Sequence, residues 1–312
     1  MIRTWIVSKR SWAISAPCRS RLGYGSAWSA WRVVVTLGIA LTMLPLVAQE
    51  REAIHKAFSG AKSIEVDNVF GSIKVTGYDG PEIRVDANRT ITGDNSERAE
   101  AAKREVKLDM TQNGGDVRLY VDGPFRCQCD DRPSFRTRKN DVHEHGRRGY
   151  KVVYDFDIKV PRNTALYLGA VNEGKIEVAK TAGDYDIENI NGSVQMDDVA
   201  GSGHVYALNG KVTITFARNP EHDSYFGSLN GAVEAWFQPG LSADVRVKTF
   251  NGGIYTDFAT AYLPAVAAKA ERKDGHYIYR SNDFQGIRIG SGGPEYKFEN
   301  FNGDIRIRNR GQ

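Results

Sequence analysis

From Ser63 onward the chain alternates. The stretches "SIEVDNV", "SIKVTG", "EIRVDA", "DVRLYVDG" and "KVVYDFDIKVP" set Ile64, Val66, Ile73, Val75, Ile83 and Val85 between polar neighbours. This is the period of a strand with one face buried and the other wet. The pattern breaks once for a helix: "NSERAEAAKREVKL", residues 95–108, is rich in Ala, Glu, Lys and Arg, and Asp94, Asn95 or Ser96 can serve as its N-cap. It breaks again over 123–149, "GPFRCQCDDRPSFRTRKNDVHEHGRRG", where no period survives. A loop of that length inside a compact domain is where function is first sought.

From Tyr154 the alternation acquires a longer period. Asn-Gly recurs as Asn191-Gly192, Asn209-Gly210, Asn230-Gly231, Asn251-Gly252 and Asn302-Gly303, the first four at intervals of 18, 21 and 21 residues. Asn172 with Gly174 precedes them. A repeat near 20 residues with two short strands per copy reads as one supersecondary unit stacked on itself. If each Asn-Gly closes a hairpin, both central residues need φ > 0 and the result is an antiparallel meander or sandwich. Ile190, Leu208, Leu229, Phe250 and Phe301, each just before the Asn, then face away from the core. If Asn-Gly is instead the corner of a coil, these residues and the following Ile or Val turn into one core, and the asparagines can bond along the stack. The expectation is an all-β, single-domain β-solenoid with one short helix, the meander or sandwich being the alternative. The N-terminal strands and the helix are expected to close one end of the stack.

Charge changes the picture only at the N-terminus. The chain has 42 Lys+Arg against 38 Asp+Glu, but Arg3, Lys9, Arg10, Arg19, Arg21 and Arg32 lie in a leader without acids. The remainder is close to neutral, which removes the electrostatic case for a nucleic-acid partner. The basic segment is followed by "VVVTLGIALTMLPLVA", Val33 to Ala48, and then by "QEREAIHK". This is the plan of a signal peptide over 1–48, with 49–62 as a linker and 63–308 as the repeat domain carrying the inserted loop 123–149. The apolar run is too short and too interrupted to stay as a spanning anchor. The expected destination is the periplasm or the cell surface.

The order "VFGSIKVTGYDGPEIRVDANR", one helix, "YDFDIKVPRNTALYLGAVNEGKIEV" and repeated Asn-Gly strands resembles the bacterial exported putative-adhesin family, a β-solenoid-like domain of unknown function, over roughly residues 60–308. The resemblance implies a right-handed β-helical body and an envelope location, and it supplies no catalytic residues. The loop 123–149 is a departure from the family pattern.

Candidate chemistry is sparse. Cys127, Cys129, His143 and His145 combine thiolates and imidazoles in two i, i+2 pairs that suit zinc or copper. The spacing is not that of a known finger, and in an oxidising compartment the two thiols have disulfide formation as their competing fate. Glu221, His222, Asp223 and Tyr225 follow a strand in "NPEHDSYFG" and could serve acid and base chemistry, or be an ordinary turn. Tyr206, Trp236, Tyr255 and Tyr277 are candidates to stack on sugars or a partner. "GSGGPE" lacks the strand, lysine and helix of a phosphate-binding loop. The expected function is that of a non-enzymatic envelope scaffold or interaction module, meeting an envelope protein or surface glycan and needing no cofactor. The alternative is a metal or redox sensor built on 123–149.

Overall fold

The computed structural model describes residues 48–126, 149–264, 269–273, 276–280 and 284–311. The N-terminal part comprises β1 (Ala48–Ser59), β2 (Ser63–Phe70), β3 (Ile73–Tyr78), β4 (Glu82–Gly93), helix α1 (Ser96–Glu105), β5 (Lys107–Asn113), β6 (Asp116–Asp122) and β7 (Tyr150–Pro161). The repeats follow as β8 (Ala165–Asn172), β9 (Ile176–Ala179), β10 (Tyr185–Asn189), β11 (Val194–Val199), β12 (Gly203–Asn209) and β13 (Val212–Phe216). They continue with β14 (Ser224–Asn230), β15 (Val233–Phe237), β16 (Ala243–Asn251) and β17 (Ile254–Thr256). The remaining described strands are β18 (Thr260–Leu263), β19 (Lys269–Lys273), β20 (His276–Arg280), β21 (Gln285–Ile289), β22 (Glu295–Asn302) and β23 (Ile305–Asn309).

Two large sheets form, neither closed into a barrel. The first has the order β1-β4-β7-β3-β9-β11-β13-β15-β23-β17, the second β18-β21-β16-β22-β14-β12-β10-β8-β2-β6-β5. The strands on either side of each Asn-Gly therefore lie in different sheets. Each pairs in parallel with strands of neighbouring copies, as β12 does with β10 and β14, and β13 with β11 and β15. Register aligns equivalent residues, so Val66, Leu168, Ile187, Val205, Phe226, Phe298 and Val247 form one inward row of the second sheet, all buried. Ile73, Ile176, Val194, Val212, Val233 and Ile305 form its counterpart in the first. The two faces share a core. Between β13, β15 and β22 the rings of Phe216, Phe237 and Tyr296 stack at centroid distances of 4.9 and 5.5 Å.

The copies do not stack in chain order. β22 lies between β14 and β16, and β23 between β15 and β17, so Asn302 sits between Asn230 and Asn251.

The helix starts where the capping chemistry places it. The Asn95 side chain accepts from the Arg98 backbone N–H, and Ala99 and Ala102 enter the core as α1 lies against β1, β4 and β7. Residues 49–62, expected as a linker, instead contain most of β1, which pairs antiparallel with β4 over its whole length. The reason is an open edge: the side of β4 that faces away from β7 would be unpaired without β1, and Phe58 of β1 buries itself there.

A second correction concerns the residue before each Asn. Ile190, Leu208 and Leu229 are only half-buried, and Phe250 and Phe301 are exposed, so these side chains point outward. Strand alternation persists up to the corner. The inward position beside it is given to small or polar groups, Asn68, Asn189, Ser228, Asn300 and Thr249, whose side chains donate to corner carbonyls. Corner backbone groups left dry by the turn are satisfied in this way.

The outer edge of the corners is tied by a second set of bonds. Asn191 donates to Asn172, Asn209 to Asn191, Asn230 to Asn209, Asn302 to Asn230 and Asn251 to Asn302, side chain to side chain, at 2.7–2.9 Å. The glycines beside them are needed for closeness more than for φ. A Cβ on Gly192, Gly210, Gly231 or Gly252 would stand 1.9–2.3 Å from the carbonyl oxygen of the glycine in the adjacent copy, although none of the four has a left-handed φ. Gly303 combines both demands, with φ +137° and a Cβ that would lie 2.7 Å from the Gly231 oxygen.

Candidate functional site

The second sheet presents an outer face whose rows follow the same register. Its first row runs Tyr167, Asp186, His204, Tyr225, Lys297 and Arg246, and its second Gly169, Glu188, Tyr206, Gly227, Glu299 and Lys248. Alternation explains the placement: each of these residues is one position from a buried core residue. Beside them, next to the asparagine row, runs the apolar row ending in Phe301 and Phe250. Those two rings stack at 4.9 Å and 6° while remaining 45% and 71% exposed.

The centre of the face is built around His204. Its ring lies 4.7 Å from that of Tyr225 at 19° and 6.5 Å from that of Tyr206. Its Nδ1 is 3.2 Å from Asp186 Oδ1 and 3.8 Å from Glu188 Oε1. Tyr225 donates to Glu299 Oε2 at 3.1 Å. Burial, reinforced by the Glu299 charge, raises the phenol pKa of Tyr225 and of Tyr206, so both remain neutral at physiological pH. Gly227 makes room for these rings: a Cβ there would stand 2.9 Å from both Tyr206 and Tyr225.

The residues singled out in the sequence are mostly elsewhere. Cys127, Cys129, His143 and His145 lie outside the described residues. Glu221, His222 and Asp223 are exposed and occupied as a turn: Glu221 sits 3.6 Å from Arg218, the His222 N–H donates to Ser202 Oγ, and Asp223 Oδ1 accepts from the Glu295 N–H. Of that group only Tyr225 joins the face. The candidate stacking residues are divided. Tyr206 is on the second sheet, whereas Trp236 and Tyr255 are on the first, beside Arg308 and Arg306 in register, and the side chain of Tyr277 is outside the described residues. "GSGGPE" is a turn in which Gly290, Gly292 and Gly293 carry φ of 59°, 80° and 158°.

Two features escaped sequence reasoning. Asp186 and His204 are 18 residues apart, the same interval as Asn191 and Asn209, so superposing the repeats would have brought them side by side. The other is a buried ion pair: Arg126 meets Asp67 with two bonds at 2.9 and 3.1 Å and stacks 4.5 Å over the Tyr120 ring. This pair has no signal in local sequence, because its partners are 59 residues apart.

A further cleft of about 290 Å³ opens between β1 and α1, lined by Glu50, Arg51, Glu52, Arg89, Ile91 and Lys103. Four of its charges pair, Lys103 with Glu50 and Arg89 with Glu52. Among the described residues no helix is long and apolar enough to cross a membrane.

The sequence matches no protein-family model and no curated protein. Among solved structures it is similar to a putative cell adhesion protein from Clostridium sporogenes, at TM-score 0.32 and 9% identity over 84% of this chain and 100% of that one. A putative adhesin from Bacteroides fragilis gives TM-score 0.36 and 12% identity over 83% and 97%. A putative lipid binding protein from Parabacteroides distasonis gives 0.32 and 10% over 83% and 97%. Likenesses this distant carry neither fold nor function over to this chain.

Proposed function

We propose that the chain is an exported, non-enzymatic protein of the cell envelope, a β-solenoid that serves as a scaffold or interaction module. Residues 1–48 are its cleaved signal peptide, and 123–149 interrupt the repeat domain. Support for the solenoid comes from the pairing. Successive repeat strands alternate between two sheets, and each lies parallel to its equivalents in the adjoining copies. Support for export comes from the basic, acid-free leader and its apolar run.

The observation that carries the interaction reading is the outer face of the second sheet. Tyr206, His204 and Tyr225 form an aromatic patch, flanked by the carboxylates of Asp186, Glu188 and Glu299 and by exposed Phe301 and Phe250. Tyrosine offers a flat apolar body with a polar tip, and carboxylates accept hydroxyl or amide donors, which fits a surface glycan or an envelope protein. The bonded corners hold these side chains on a fixed backbone, so binding loses little conformational entropy. The test is fractionation of cells followed by binding of purified residues 49–312 to isolated envelope polysaccharide and envelope protein. Retention in the envelope is expected, with binding weakened at least about tenfold by Tyr206→Ala with Phe301→Ser, the loss of two interface anchors. Equal binding by that variant, or a cytosolic location, would overturn the reading. Release of reducing ends from a bound glycan would overturn its non-enzymatic part.

A further inference from the structure

We propose that Asp186, Glu188 and His204 form a binding site for a divalent transition metal of the zinc type, on the outer face of β10 and β12. The site does not depend on what partner the face meets. One ligand atom from each residue lies within 4.8 Å of the others. The imidazole with two carboxylates is a donor set that zinc accepts readily, whereas calcium takes six to eight oxygens and copper(I) prefers thiolate.

The spacing is that of an ion pair that a metal could enter. Four donors placed tetrahedrally at about 2.0–2.1 Å from zinc stand about 3.3–3.4 Å from one another. The observed separations of His204 Nδ1 from Asp186 Oδ1 and Glu188 Oε1, 3.2 and 3.8 Å, bracket that edge. A charge-assisted histidine–carboxylate bond closes to about 2.7–2.9 Å. His204 Nδ1 and Asp186 Oδ1 share a long hydrogen bond, a contact that a metal ion would replace with little movement of either group.

The surroundings hold the ligands in place. Asp186 and His204 face each other across a parallel register, with Glu188 two residues along the same strand. The Tyr225 ring lies flat against the imidazole, and Tyr225 is held in turn by Glu299. The flanking register positions are Tyr167 and Gly169 on β8 and Tyr225 and Gly227 on β14, none of them basic. The side chains of Asp186, Glu188 and His204 are 16%, 20% and 36% exposed, which shelters the donors while leaving a path from solvent. Three protein ligands leave a coordination position for water or for an oxygen of a partner.

The test is a Zn²⁺ titration of reduced residues 49–312 by calorimetry, with native mass spectrometry to count bound ions. The parent protein for it carries Cys127→Ser, Cys129→Ser, His143→Asn and His145→Asn, which removes the other thiolate and imidazole pairs of the chain. One equivalent of zinc is expected to bind this parent, with affinity falling at least about 100-fold in His204→Ala and in the isosteric Glu188→Gln, at or beyond the losses seen when mere supporting residues are removed. Each variant's urea midpoint is compared with the parent's, so that a folding defect in His204→Ala leaves Glu188→Gln to decide. No bound zinc in the parent, or unchanged affinity in Glu188→Gln, would overturn the proposal.

Discussion

Replacing Gly210 with alanine isolates the close approach of the corners. The new Cβ would lie 2.2 Å from the Gly192 oxygen, 2.5 Å from its carbonyl carbon and 2.9 Å from the Ser193 nitrogen, all backbone atoms of the neighbouring copy. Ordinary contact begins at 3.4 Å, so adjacent corners must separate by about 1 Å in a stack spaced at about 4.8 Å. Three bonds span that gap: Val194 N–H to Lys211 O, Asn209 N–H to Ile190 O, and Asn209 Nδ2 to Asn191 Oδ1. At about 1 kcal/mol net each, their loss destabilises by about 3 kcal/mol. Alanine also stiffens the unfolded chain, which returns about 0.4–1 kcal/mol. The net is a loss of about 2–3 kcal/mol, and with a urea slope of about 3 kcal/mol/M the midpoint falls by about 0.7–1 M. Gly115→Ala is the control. It too lacks a left-handed φ, and its Cβ would meet only the Lys62 side chain at 3.4–3.5 Å, so it is expected to leave stability unchanged or raise it by up to about 1 kcal/mol. Equilibrium unfolding of residues 49–312 in urea, followed by far-ultraviolet circular dichroism, reads both. Coincident midpoints for the two variants, or a higher one for Gly210→Ala, would refute the close-approach account.

Removing the carboxylate of the buried Asp67–Arg126 pair by Asp67→Ala leaves a guanidinium without its partner and should cost about 3–5 kcal/mol, read as a lowered urea midpoint. Asn209→Ala removes one donated and one accepted bond from an exposed ladder, so its expected cost is about 1 kcal/mol. Asn300→Ala strips a buried donor from the Gly231 carbonyl and should cost about 1–3 kcal/mol in the same assay. Stability should decline at acid pH. The Asn309 N–H and Arg308 hold the Asp257 carboxyl below its ordinary 3.8, and Lys211 holds Glu234 below 4.5, so the stabilisation is complete above these values and disappears as pH falls through the lowered ones. A urea midpoint that stays level from pH 5 down to pH 2 would contradict this. At the alkaline end, burial raises the pKa of Tyr185 and Tyr296 above the ordinary 10.0, so the unfolded chain ionises first and stability should fall from about pH 10 upward. Ultraviolet titration of phenolate absorbance alongside unfolding checks it.

Much of the architecture was legible because it is periodic. Alternation at Ile64, Val66, Ile73 and Val75 specifies which face is buried without reference to any partner, and the helix is marked by composition and by Asn95. The Asn-Gly interval shows that copies exist. It does not show their order, because β22 and β16 carry the same corner, and either would satisfy the asparagine ladder beside Asn230. Hydrophobicity alone turns the residue before each Asn inward, whereas the corner carbonyls require a donor inside, and Asn189 and Asn300 supply it. The face around His204 is assembled from β10, β12 and β14, each contributing one or two residues whose meaning depends on register. Local patterns such as "NPEHDSYFG" are more conspicuous in the sequence, yet in space Glu221, His222 and Asp223 are spent on a turn.

The position of β22 and β23 has a consequence for biosynthesis. Translation delivers β16 and β17 before the pair that must end up beneath them. While the chain is still emerging, β14 and β15 show an open edge to which β16 and β17, carrying the same corner, can dock one course too early. Reaching the native order then requires that decoy to let go. A nonsense mutation just ahead of Glu295 likewise removes an internal course and not the outermost one, leaving Asn251 without Asn302 and Asn230 without its upper neighbour. The segment that carries β22 and β23 is thus the keystone of the stack, and a chain that lacks it offers proteases and other copies an unfinished edge.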